Sequence, residues 1–97
     1  MIPEEAYKYA VDYYPSEEIK KIACEDPGYA YLYAMDVDQG SGDYTRKAAC
    51  RNSYCAYYYA LYIDKGFHED TLAAVRNTEW EEEYEKFFNS FMKEEII

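Results

Sequence analysis

Carboxylates are the residues of this chain best equipped for chemistry. Glu79, Glu81, Glu82, Glu83 and Glu85 crowd residues 79–85, and Asp36, Asp38 and Asp43 form a second group in residues 36–43. Clustered acids can hold a hard cation, serve as acid and base on a substrate, or present negative charge to a basic partner. The first use is tempted by Asp36-Val37-Asp38-Gln39-Gly40-Ser41-Gly42-Asp43, which begins like an EF-hand calcium loop. Such a loop needs an oxygen ligand at its fifth position, glycine at its sixth and a bidentate glutamate at its twelfth. Here those positions are Gly40, Ser41 and Lys47, so no metal site and no cofactor are expected. Catalysis has as little support. His68 is the sole histidine and falls in a connection, with no serine or cysteine in a nucleophile-elbow setting beside it. The chain is therefore read as a non-enzyme with no catalytic residues.

The third use fits the whole chain. Twenty Asp and Glu against ten Lys and Arg give a net charge of -10. A field of that sign repels phosphate backbones and anionic membranes and attracts basic surfaces, for example the nucleic-acid groove of another protein. Carboxylates fixed on rigid helices at spacings of about 5–10 Å resemble the phosphates of a duplex, and tyrosines between them can meet Arg and Lys through hydrogen bonds and cation–π contacts. The expected partner is thus a basic surface of a host protein, with no direct nucleic acid and no membrane.

Rigid display of these acids requires an ordered scaffold, and an internal repeat supplies it. Residues 22–40, IACEDPGYAYLYAMDVDQG, recur as residues 48–66, AACRNSYCAYYYALYIDKG, at an offset of 26 without a gap; eight of the nineteen columns are identical. A fixed period of this length marks units that bury their apolar faces against their neighbours. Pro3 and the glutamates after it open a first helix whose Ala6, Tyr9, Ala10 and Tyr13 share a face, and Pro15 stops it. Ser16 caps a short helix with Ile19, Ile22 and Ala23 inward. Asp26-Pro27 restarts a helix with Ala30, Tyr33, Ala34 and Val37 inward, ending at Gly40. After Gly40-Ser41-Gly42, Asp43 or Thr45 begins the next helix; Asn52 or Ser53 caps another, with Ala56, Tyr59, Ala60 and Ile63 inside and a stop at Gly66. Alanine lets backbones approach, while tyrosine fills the adjoining space and is expected to keep its hydroxyl near water. LAAVRNT at 72–78 echoes KAACRNS at 47–53. Thr78 and Glu81 then read as a capping box for a last helix over 78–93, with Trp80, Tyr84, Phe87, Phe88 and Phe91 as one inner stripe.

Three cysteines cannot all pair, and Cys24 and Cys50 sit one repeat apart, where stacked helices would hold them roughly 10 Å from each other, beyond disulfide reach. All three are expected to be small buried residues in a reducing compartment. The opening Met1-Ile2-Pro3-Glu4-Glu5 is acidic where a secretory leader would be basic, which predicts a soluble cytoplasmic protein.

The repeat, DPGYAYLYAMDVDQG and its degenerate copy SYCAYYYALYIDKG, resembles the Tyr-Ala-rich helical repeats of form DPxYAYxYAxxVxxG in uncharacterised phage and mobile-element proteins. The resemblance covers roughly residues 16–78 and departs at Ser53-Tyr54-Cys55, where Asp-Pro is lost. It implies a helical array and, by analogy with small acidic phage proteins, an anti-CRISPR type of inhibitor acting as a nucleic-acid mimic.

The sequence therefore predicts one all-α domain over residues 1–97: a right-handed, compact array of about three and a half helix hairpins, or about seven helices, with a period of roughly 26 residues. A half repeat spans 1–15, repeats span 16–40 and 41–66, and a capping unit spans 67–97. The functional expectation is an acidic protein-binding inhibitor that blocks a basic groove of a host effector through Glu79, Glu81, Glu82, Glu83 and Glu85, with Asp36, Asp38 and Asp43 as a second patch. The alternative is a self-assembling scaffold joined through exposed Tyr31, Tyr57, Tyr58 and Tyr62. The chain would be a monomer or a weak homodimer.

Overall fold

Helix starts decide this fold, because most of the helices are only two turns long and every unpaired N–H at an end matters. The computed structural model describes the backbone of residues 1–96 and the side chains of residues 1–88. Helix α1 (Pro3–Asp12) begins on proline, and the Glu5 carboxylate accepts the Ile2 N–H at 3.0 Å. In α2 (Glu17–Ala23) the Ser16 hydroxyl accepts the Ile19 N–H at 3.2 Å. In α3 (Pro27–Tyr33) Asp26 Oδ1 accepts from Gly28 and Tyr29. α4 (Asp43–Ala49) starts after Gly42, which has no side chain to cap with. α5 (Ser53–Tyr59) is capped by Asn52, and α6 (Glu69–Val75) by His68 Nδ1, which accepts the Asp70 N–H at 3.0 Å. α7 (Glu81–Ile96) closes the chain. The described residues are all-α, with seven α-helices and no strand, as the periodicity predicts.

Two of the helices end in an unexpected way. α3 runs straight into a π-helical turn, Ala34–Asp38, and α5 does the same at Ala60–Asp64. The left-handed residue that terminates each is Gln39 (φ 55°) or Lys65 (φ 54°); neither Gly40 nor Gly66 has positive φ. The expectation of a glycine stop assumed α-type closure, in which the closing N–H reaches back five residues. Here Gly40 N–H reaches six residues back to Ala34 C=O (3.1 Å) and Gly66 to Ala60 (3.2 Å), so the wider π turn brings the left-handed position forward by one residue.

Sequential pairs α1/α2, α3/α4 and α5/α6 pack most closely, and α1/α3, α3/α5 and α4/α6 touch side by side. The result is a two-layered body of 47 × 26 × 16 Å. Its interior is divided: Ala6, Ala10, Ala23 and Tyr33 form one cluster, Ala34, Ala49 and Tyr59 a second, and Ala56, Ala60, Val75, Tyr84 and Phe88 a third. Fully buried alanines make the helix contacts, as expected. The tyrosines correct the expectation. Tyr33, Tyr59 and Tyr84 are wholly buried, hydroxyl included for the latter two, because polar partners wait inside for them. Two further inward assignments, Tyr13 and Phe87, fail, and a third, Trp80, holds in part, packed against the last of these clusters. Tyr13 is 72% exposed because the chain leaves helical geometry there (φ -120°, ψ -86°). Phe87 is 42% exposed beside buried Phe88, with which its ring makes an edge contact, and Trp80 is half-buried. The last helix begins at Glu81 and not at 78 because Asn77 takes a left-handed turn (φ 62°). The Phe91 side chain lies outside the described residues.

Candidate functional site

Arg46 and Asp64 carry the polar frame on which the surface is built. The guanidinium donates from Nε and Nη2 to both Asp64 oxygens (3.0 and 2.7 Å) and from Nη1 to Asp43 (2.8 Å). Both partners of the Arg46–Asp64 pair are buried, and the hydrogen bond to Asp64 holds the Arg46 proton well above the usual range. The pair has a counterpart 26 residues earlier in Lys20 and Asp38, 3.0 Å apart. Each cation also covers a buried ring: Lys20 Nζ lies 5.8 Å from the Tyr33 centroid and Arg46 Cζ 5.7 Å from that of Tyr59. Under Arg46, the Tyr59 hydroxyl shares a 2.7 Å hydrogen bond with Thr45, donates to Gly42 C=O and accepts the Gly42 N–H. Tyr84 repeats this arrangement with Thr71 and the His68 backbone.

This frame occupies the second acidic patch from within. Asp38 answers Lys20, Asp43 answers Arg46 while remaining 82% exposed, and Asp36 accepts the Tyr7 hydroxyl proton. That bond, followed by burial, pushes the Tyr7 phenol up to about 12. The carboxylates Asp38 and Asp64, which recur at the same place 26 residues apart, thus each bind a cation from the first helix of their own stretch, Lys20 of α2 and Arg46 of α4.

The C-terminal glutamates are less engaged. Glu81 Oε2 accepts the Asn77 N–H (3.3 Å), so the expected capping box reaches one residue further back than Thr78, whose own Oγ accepts the Trp80 N–H. Glu82 and Glu83 both reach Lys86, at 3.4 and 3.9 Å. Glu79 and Glu85 are exposed and carry no ion pair among the described residues. The side chains of Glu82 and Glu83 are 79% and 55% exposed, so their pairs with Lys86 leave most of their charge facing water.

Aromatic rings form a strip. Tyr62 stacks on Tyr58 (5.6 Å, 20°), Tyr58 meets Tyr54 (4.5 Å) and Tyr31 (6.4 Å), Tyr54 meets Trp80 edge-on (5.0 Å), and Trp80 stacks on Tyr57 (5.4 Å, 27°). Between α3 and α5 the strip opens into a groove of about 410 Å³, lined chiefly by Tyr29, Tyr31, Leu32, Tyr54, Tyr58 and Tyr62. Burial, then the neighbouring phenols, then Asp36 raise the proton affinity of Tyr31; burial, then Glu83, raise that of Tyr57. The fields of Asp36 and Glu83 thus reach different tyrosines of the strip, Tyr31 and Tyr57. Of Tyr31, Tyr57, Tyr58 and Tyr62, expected as exposed rows, only Tyr62 is exposed and the other three are half-buried, while Tyr54, absent from that expectation, is exposed. The i, i+4 series Tyr54, Tyr58, Tyr62 was the available signal.

The remaining reactive groups are quiet. Burial pushes the Cys24 and Cys50 thiols up to about 11, and all three cysteines are unpaired, Cys24 buried but Cys50 and Cys55 only partly so. Among the described residues no group of three or more His, Cys, Asp or Glu is placed to hold a metal ion, and no helix is long and apolar enough to cross a membrane. No protein family, curated protein or solved structure matches the chain.

Proposed function

We propose that the chain is a protein-binding inhibitor whose acidic and aromatic face occupies a basic, nucleic-acid-binding groove of another protein. The observation that carries this reading is the aromatic strip from Tyr62 to Trp80, whose last ring stands in the chain between exposed Glu79 and exposed Glu82, Glu83 and Glu85. Rings and carboxylates held side by side on short, capped helices offer a cationic surface what a duplex offers it: negative charge at fixed spacing and flat faces for stacking. The net charge of -10 adds long-range attraction to a basic groove and repulsion from the nucleic acid already there. The Asp36, Asp38 and Asp43 patch contributes field more than direct contact, since each of the three already has a partner. The likeness of the Tyr-Ala repeat to phage and mobile-element sequences makes a CRISPR effector or another defence protein the first target to try.

Displacement is the test. A basic nucleic-acid-binding protein loaded with a fluorescent duplex should release it when the chain is added, less so at high salt. Reversal of Glu79, Glu82 and Glu83 to lysine should abolish release while the helical circular dichroism stays unchanged. Release that survives this reversal removes the glutamates from the function. A second reading, self-assembly through the tyrosine strip, is favoured by the exposure of Tyr54 and Tyr62 (49% and 52%). Apolar association persists at high salt, so sizing at two salt concentrations separates it from charge-driven binding.

A further inference from the structure

The groove between α3 and α5 has a template inside the same molecule. Beneath the surface, Arg46 lies across the Tyr59 ring at 5.7 Å while Asp64 and Asp43 bind its N–H groups: a guanidinium held between an aromatic face and carboxylates. The groove presents the outer half of that arrangement. It has tyrosine faces with Leu32 beside them and no lysine or arginine among its lining residues, and the negative field of Asp36 reaches Tyr31. The cation–π contacts among the described residues, Lys20 on Tyr33 and Arg46 on Tyr59, both involve inner tyrosines and not the outer rings.

The geometry points to arginine side chains of an extended, basic segment of the partner as the occupants of this groove. The assignment rests on the reading of the acidic face as a protein-binding surface, and it names what that surface selects. Three features choose guanidinium over ammonium. The exposed rings of Tyr54 and Tyr62 offer flat faces, and a guanidinium is planar and sheds water more readily than an ammonium. Phenolic oxygens along the rim accept N–H donors without demanding a single direction. A groove of about 410 Å³ has room for more than one such side chain. Bases of a single-stranded nucleic acid also stack on tyrosines, but their phosphates would meet the field of a chain of charge -10. A second copy of the chain would bring the same charge with it.

Trp80, the sole tryptophan, sits within the strip and reports occupancy by its fluorescence. Oligo-arginine and oligo-lysine peptides of equal length should both bind the intact chain, oligo-arginine roughly tenfold tighter from two or three cation–π contacts. Replacing exposed Tyr54 and Tyr62 by leucine should weaken oligo-arginine more than oligo-lysine and so erase that preference; replacing both by phenylalanine should keep it. E79K/E82K/E83K should weaken both peptides alike. Equal affinity of the two peptides for the intact chain would overturn the guanidinium assignment and leave the acidic-face reading standing, whereas failure of both to bind would overturn the two together. Oligothymidine binding as tightly as oligo-arginine, or a dimer on sizing whose contact is lost in the leucine variant, would give the groove to another occupant.

Discussion

Two stretches of this molecule have the same backbone plan and different chemistry. In residues 17–38 and 43–64 alike, a seven-residue helix is followed by a second seven-residue helix and a five-residue π turn. In the earlier stretch Ser16 caps its helix with its own hydroxyl, Ile19 stands where Thr45 stands later, and Lys20 meets Asp38 through one contact with side chains 24% and 29% exposed. In the later stretch Gly42 cannot cap, so the Tyr59 hydroxyl crosses from α5 to satisfy its N–H and C=O; Thr45 completes the set, and Arg46 grips Asp64 with two bonds at 8% and 7% exposure. The lesson is that a helix start may be satisfied locally or from a neighbour. Only the second way ties the two helices together.

The largest effect should come from cutting that tie. Arg46→Met leaves the Asp64 carboxylate buried without a cation and should cost about 3–5 kcal/mol in chemical denaturation. Lys20→Met removes a more hydrated pair and should cost less than about 1 kcal/mol. Equal losses would erase the distinction between the two stretches.

Alkaline titration tests the same contrast through the tyrosines. Burial, then Asp38, push the Tyr33 phenol up to about 12, while Tyr59 is raised by burial but pulled back by Thr45 and Gly42. A folded-state value above the ordinary 10.0 means that the native protein keeps its proton longer than the unfolded chain does. The stabilisation is therefore complete below pH 10 and lost as pH rises to about 12, by an amount on the order of 2 kcal/mol for Tyr33. Tyrosinate absorbance in single Tyr→Phe variants should show Tyr59 ionising before Tyr33.

Removing one hydroxyl gives a smaller effect. Tyr59→Phe strands the Gly42 N–H, leaves the Thr45 hydroxyl only its 3.3 Å bond to Gly42 C=O, and should cost about 1–2 kcal/mol. Tyr33→Phe, whose hydroxyl makes no hydrogen bond among the described residues, should cost under about 0.5 kcal/mol. Smallest, and alike in the two stretches, are the left-handed positions: Gln39→Gly and Lys65→Gly should each raise stability by about 0.5–1 kcal/mol. Gly40→Ala, where an added Cβ meets nothing within 4 Å, should be neutral in thermal melts.

Much of the helical plan was legible because local rules wrote it. Asp26-Pro27, Ser16 and the spacing of Ala30, Tyr33 and Ala34 each state a start or a face within one turn of chain. The π turns were not legible, since Gly40 and Gly66 fit an α-type stop equally well and only the backbone reveals the additional residue. Nor was the Arg46–Asp64 tie, whose partners stand 18 residues apart, beyond any helical period. Its trace lay just outside the compared window, in the basic residues Lys20 and Arg46 that recur at the same offset. Of the candidate surface, the glutamates were plain from composition. The strip of rings depended on side-by-side packing of α3 and α5, which no single segment encodes.

Burial divided among three clusters along a 47 Å axis means that no single centre sustains the molecule. Opening at one end forfeits one compartment and leaves its neighbours closed, so amide protons exchange in stages from the outside inward, with α4 and α5 last. A protease that trims the Tyr9–Tyr14 end therefore removes a compartment remote from Trp80 and the glutamates. What survives the cut still carries its charge.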